Sequence, residues 1–135
     1  MRSDYKTLVI FSTDQTSKSP EDNAKNFKAA KLGLEAMAIH FTEVEGMYKG
    51  TKEQSLMVFT SGEYSFNQCV TLAKFFNQET ILMRDNQNQA QLLFLDNSRP
   101  PERLGKLTEV SQELAEQNEN YTYVPNTNKY FITQL

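Results

Sequence analysis

The residues best suited to chemistry lie in Glu43-Val44-Glu45-Gly46-Met47-Tyr48-Lys49-Gly50-Thr51-Lys52-Glu53, where two glycines surround a tyrosine and a glutamate opens an apolar run. Backbone freedom, a phenol and a carboxylate meet there. Composition alone reads the same stretch more simply as a hairpin turn, with Tyr48 packed on a sheet and Glu53 in water. The single Cys69 falls among Phe66, Val70, Ala73 and Phe76 on one helical face, which places it in a core rather than in the electropositive, accessible setting of a nucleophilic thiolate. The lone His40 has no visible orienting partner, so a structural or surface role outweighs general-base chemistry. No His-Glu-x-x-His run or oxygen-rich calcium loop is present, so no metal site is expected. Gly46, Gly50, Gly62 and Gly105 are too scattered for a phosphate-cradling loop.

These side chains need a scaffold, and 135 residues at 15.5 kDa are enough for one domain, 1–135, with one buried core. Hydrophobic residues at 39% and charged residues at 23% exclude a disordered or low-complexity chain. Fourteen Lys and Arg against seventeen Asp and Glu leave a net charge of -3, which argues against a nucleic-acid or anionic-lipid partner. The polar start, Met1 to Lys6, predicts no signal peptide, and no apolar stretch predicts a membrane span. One unpaired cysteine fits a reducing cytoplasm.

The unbroken apolar run in Thr7 to Ser12 reads as a central strand. Ser19-Pro20-Glu21-Asp22 supplies a cap hydroxyl, a first-turn proline and acids at the positive end of a helix. Ala24, Phe27, Ala30, Leu34 and Met37 then share one helical face. Strands follow at Ala38 to Glu45 and Gln54 to Thr60, joined as a hairpin, and a second helix carries Phe66, Cys69, Val70, Ala73 and Phe76. Thr80 to Arg84 and Ala90 to Leu95 form a hairpin around Asp85-Asn86-Gln87-Asn88. A short helix is expected over Thr108 to Glu116, and Tyr121 to Val124 with Lys129 to Thr133 make a closing hairpin. The expected architecture is α+β: a ferredoxin-like β-α-β-β-α-β sandwich with extra C-terminal strands and both helices on one face of an antiparallel sheet.

From Thr7 to Leu95 the chain resembles the phage-encoded S-adenosylmethionine lyases, formerly called S-adenosylmethionine hydrolases. The resemblance lies in the order of elements and above all in Glu45-Gly46-Met47-Tyr48-Lys49-Gly50 followed by Glu53-Gln54-Ser55-Leu56-Met57-Val58. It implies a PII-like homotrimer with S-adenosylmethionine bound between subunits. The family's tyrosine and glutamate fall on Tyr48 and Glu53, and its small-residue segment beside the ligand falls on Ser12 and Thr13. The implied reaction uses no cofactor: the substrate carboxylate attacks its own γ carbon and releases 5'-methylthioadenosine and homoserine lactone, depleting the methyl donor and countering host restriction-modification. Two other classes of function compete with it: a trimeric PII-like module that binds its small molecule without consuming it, and a phage inhibitor of a host enzyme.

Overall fold

The computed structural model describes residues 7–135. Strand β1 spans Thr7–Ser12, helix α1 Pro20–Ala36, β2 His40–Tyr48, β3 Thr51–Thr60, helix α2 Glu63–Phe75, β4 Thr80–Arg84 and β5 Gln89–Phe94. Strand β6 follows at Glu102–Val110, a short helix α3 at Gln112–Glu116, β7 at Tyr121–Val124 and β8 at Lys129–Gln134. The strands close into a barrel in the order β1-β3-β2-β7-β8-β6-β5-β4, and every neighbouring pair is antiparallel.

This closed barrel replaces the expected ferredoxin-like sandwich, and with it goes the PII-like subunit fold that the family resemblance implied. The C-terminal strands expected as extras to the sandwich are part of the barrel wall. Strand β5 extends the β4 edge, and β6, β8 and β7 carry the sheet around to β2, so each outer edge finds a partner. The decisive element is β6, whose last three residues, Thr108 to Val110, fall in the helix expected over Thr108 to Glu116. Its polar residues Glu102, Arg103, Lys106 and Glu109 hide a strand, because pairing with β5 and β8 outweighs their weak strand propensity. Helix formation is confined to five residues after the cap Ser111, whose hydroxyl accepts from Leu114 N.

Two cores result. Leu8, Ile10, Val44, Met57, Leu107 and Val124 pack inside the barrel, with Leu82 and Phe131 against them. An eight-stranded barrel is just wide enough for side chains to fill, so this interior is a core and not a channel. The other core lies outside the wall, where Phe27, Ala30 and Leu34 of α1 and Cys69 and Ala73 of α2 cover Val9, Phe11, Leu56 and Val58. Strand β1 therefore alternates Leu8 and Ile10 inward with Val9 and Phe11 outward, both faces buried, which accounts for its continuous apolar sequence. The expected cap of α1 forms: Ser19 Oγ accepts from Asp22 N at 3.1 Å, with Pro20 in the first turn. Among the described residues no helix is long and apolar enough to cross a membrane.

Closure depends on Gly105, at φ +91° beside the register shift between Ala90 and Gln91. A Cβ there would collide with the backbone of Gln134 and Leu135. Gly105→Ala combines a backbone conformation costly for an L side chain with that collision, and should lower unfolding free energy by about 2–3 kcal/mol in urea titration. An unchanged midpoint would show that β6 and β8 do not approach closely.

Candidate functional site

The β2–β3 hairpin turns through Lys49 and Gly50, both at positive φ (48° and 83°), as a two-residue loop matched to strand twist demands. Lys49 N donates to Asn120 Oδ1 at 3.0 Å, tying the hairpin tip to the segment before β7. Register pairs Tyr48 with Thr51, Gly46 with Glu53 and Val44 with Ser55, while Ser12 lies opposite Ser55 on β1. Directly paired residues share a face, and Val44 belongs to the interior core, so Tyr48, Glu53, Ser55 and Ser12 lie on the face that continues the barrel interior toward its rim. Tyr48 and Glu53 are diagonal neighbours there, and Gly46 between them has no side chain to fill the space.

The loop after β1 completes this rim. Asp14 Oδ2 accepts from Gln54 N at 3.2 Å, and Asp14 N donates to Ser12 Oγ at 2.9 Å. Ser12 Oγ in turn donates to Gln54 O at 2.8 Å, so its proton is committed to holding β1 and β3 together at this end. Gln15 pins the loop from below: its N–H donates to Asn23 Oδ1 of α1 and its side-chain amide donates to Phe76 O at the end of α2. Thr13, fully buried, turns its Oγ1 into the protein without a hydrogen-bond partner.

The structure thus brings Tyr48, Glu53 and Ser12 together on one rim, with Thr13 beside them but buried. Asp14 is the member that sequence reasoning missed; its one signal was an acid immediately after the central strand. Burial pushes the Glu53 carboxyl above its usual range, and the neighbouring Asp14 carboxylate pushes it further. Two carboxylates and a phenol, with Lys49 Nζ already 5.4 Å from the centroid of the Tyr48 ring, make a rim able to hold a positively charged group. Cys69 has no part in it: it is wholly buried under α2, and burial pushes its thiol up to about 12. His40 is exposed at the start of β2, before the rim residues of that strand. Among the described residues no three His, Cys, Asp or Glu side chains are arranged to hold a metal ion.

A cleft of about 210 Å³ lies elsewhere, on the outer face of β2, β7 and β8 under α3. It contains Tyr121, Tyr123 and Tyr130 with Glu45 and Glu116, and neither Tyr48 nor Glu53 reaches it.

The rim thus sets the Glu53 and Asp14 carboxylates and the Tyr48 phenol at one end of a closed antiparallel barrel. The model of the S-Adenosylmethionine lyase family matches residues 9–134, nearly the whole described chain, and this protein belongs to that family. It is accordingly a lyase that degrades S-adenosylmethionine. No curated protein matches the sequence.

The raised Glu53 carboxyl fixes a sign for stability against pH. Its neutral form is favoured in the folded chain, so the ionised form penalises folding; the penalty is absent below the ordinary carboxylate value of 4.5 and complete above the raised folded value. Glu53→Gln should therefore raise the melting temperature at pH 7, and the gain should vanish near pH 4. Equal gains at both pH values would show that Glu53 is not desolvated beside Asp14.

Proposed function

We propose that the rim formed by Tyr48, Glu53, Ser12, Thr13 and Asp14 binds the amino-acid end of S-adenosylmethionine and that the products are 5'-methylthioadenosine and homoserine lactone. The observation that carries this reading is that Asp14, bonded to Gln54 N, stands next to Glu53 at the end of the face that Glu53 shares with Tyr48. The substrate has one carboxylate against an ammonium and a sulfonium, a net positive charge that two carboxylates complement. Glu53 receives the ammonium group, and Tyr48 offers its hydroxyl and its ring face to the positive end. Ser12 acts chiefly through its bonds to Gln54 and Asp14, which set the loop, while Thr13 lies behind it.

In the reaction the substrate carboxylate oxygen forms a bond to its own γ carbon as the bond from that carbon to sulfur breaks. The electron pair goes to sulfur, which leaves as the neutral thioether of 5'-methylthioadenosine, and the lactone keeps its ammonium. No water, cofactor or protein nucleophile enters the balance. The site contributes by folding the methionine portion so that the carboxylate lies in line with the carbon–sulfur bond, and by withholding water from that carboxylate. A homotrimer with substrate between subunits, and a role in the cytoplasm of a phage-infected bacterium where loss of the methyl donor blunts restriction-modification, follow from family resemblance and belong to the same proposal.

The test incubates the purified protein, in a buffer containing a metal chelator, with S-adenosylmethionine and follows 5'-methylthioadenosine by chromatography. Glu53→Gln and Tyr48→Phe should each lower turnover by about 10–1000-fold, the scale of one charge-assisted or transition-state hydrogen bond, while melting remains cooperative. In 18O-water, lactone formed at early times should carry no label. Solvent oxygen on the side-chain hydroxyl of homoserine from the first turnover would mean direct hydrolysis, and wild-type rates in both variants would remove the rim from the mechanism. Light scattering of the same sample should give three times 15.5 kDa.

A further inference from the structure

The outer cleft repeats the chemistry of a cation site without sharing a side chain with the rim. Register sets it up: Glu45 lies opposite Tyr123, Tyr123 opposite Tyr130, and Met47 opposite Tyr121, so a carboxylate and three phenol rings stand side by side across β2, β7 and β8. Tyr123 and Tyr130 stack with centroids 4.5 Å apart and planes 30° off parallel, and Tyr121 closes on Tyr130 at 6.1 Å and 52°. Tyr123 is fixed by donating its hydroxyl to Asn128 Oδ1 at 2.9 Å. Glu116 of α3 forms the far wall, held by Gln112 Nε2 at 3.1 Å.

One cation already samples this position. Lys52 Nζ lies 3.4 Å from Glu45 Oε1, on a long and mostly exposed side chain whose pairing is weak. Among the described residues that line the cleft, two carboxylates face that one ammonium, a net charge of -1 beside the ring faces. The same negative surroundings show at Tyr130, whose phenol is pushed upward by burial and then by Tyr123, Glu116, Tyr121 and Glu45. A volume of about 210 Å³ is below the roughly 300 Å³ at which pockets begin to hold drug-sized molecules, so the guest is small.

We propose that this cleft is a second binding site, separate from the Tyr48–Glu53 rim, for a small organic monocation whose charge is spread over alkyl groups, of the sulfonium or quaternary ammonium class. Ring faces attract such a cation electrostatically and cover its alkyl surface, which a hydrated ammonium such as that of Lys52 exploits poorly. The guest displaces Lys52 from Glu45 and takes its place between the carboxylates. The inference rests on this geometry and not on where S-adenosylmethionine reacts.

The protein has six tyrosines and no tryptophan, and three of those tyrosines line the cleft while Tyr48 lies at the rim, so tyrosine fluorescence reports binding and the variants below assign it to one site or the other. Tetramethylammonium should give a saturable change in wild type, and tert-butanol, similar in size and uncharged, should give none. Lys52→Met, an exposed change that removes the internal competitor, should tighten binding at least threefold. Glu45→Gln combined with Glu116→Gln should weaken it at least tenfold, and Glu53→Gln should leave it unaltered. Absence of a saturable signal, equal response to tert-butanol, unchanged affinity in Lys52→Met, or loss of binding in Glu53→Gln would each overturn the proposal, the last by placing the cation at the rim.

Discussion

Strand β1 is buried along its whole length, and the remainder of the structure is arranged to make that burial complete. Leu8 and Ile10 require a barrel interior, while Val9 and Phe11 require the helices, so neither an open sheet nor a bare barrel satisfies both faces. Pairing with β3 on one side and β4 on the other satisfies its backbone groups. The chain leaves this strand directly into Thr13-Asp14-Gln15, and the rigidity of β1 is transmitted to Asp14 through Ser12, Gln54 and the Gln15 contacts to both helices. A carboxylate on a loop is thereby held as firmly as one on a strand, which is what lets it act on Glu53.

The β2–β3 hairpin serves two surfaces because strand side chains alternate. Tyr48, Gly46 and Glu53 fall on the inward face and form the rim, while Glu45, Met47 and Lys52 fall on the outward face beside the C-terminal tyrosines. A slip of one residue in β2 would exchange the two sets and destroy both. The positive-φ turn at Lys49-Gly50 and the Lys49 bond to Asn120 resist that slip.

Local sequence determined every element up to β5 and the closing β7–β8 hairpin. The apolar run at Thr7–Ser12, the Ser19-Pro20 helix start, Thr80–Arg84 and Tyr121–Val124 all form where their patterns place them, because each pattern reports nearest-neighbour physics: side-chain periodicity, capping and turn conformation. The hairpin that carries Tyr48 and Glu53 was legible for the same reason, since its turn residues announce it, while the assignment of those two side chains to a site came from the family resemblance. Cys69 was legible as core from the face it shares with Ala73.

Tertiary structure alone decided the rest. Strand β6 was hidden because its charged residues carry no strand signal until β5 and β8 supply partners, and the choice between sandwich and barrel depends on that one strand. Asp14 could not be assigned to Glu53 from sequence, since forty residues separate Asp14 from its partner Gln54 and only β1–β3 register brings them together. The tyrosine cleft likewise unites Glu45 with Tyr123 and Tyr130 through the β2–β7 and β7–β8 pairings. Periodicity specifies which face of an element is buried; it does not specify which distant element covers it, because that choice depends on closing the whole sheet at once.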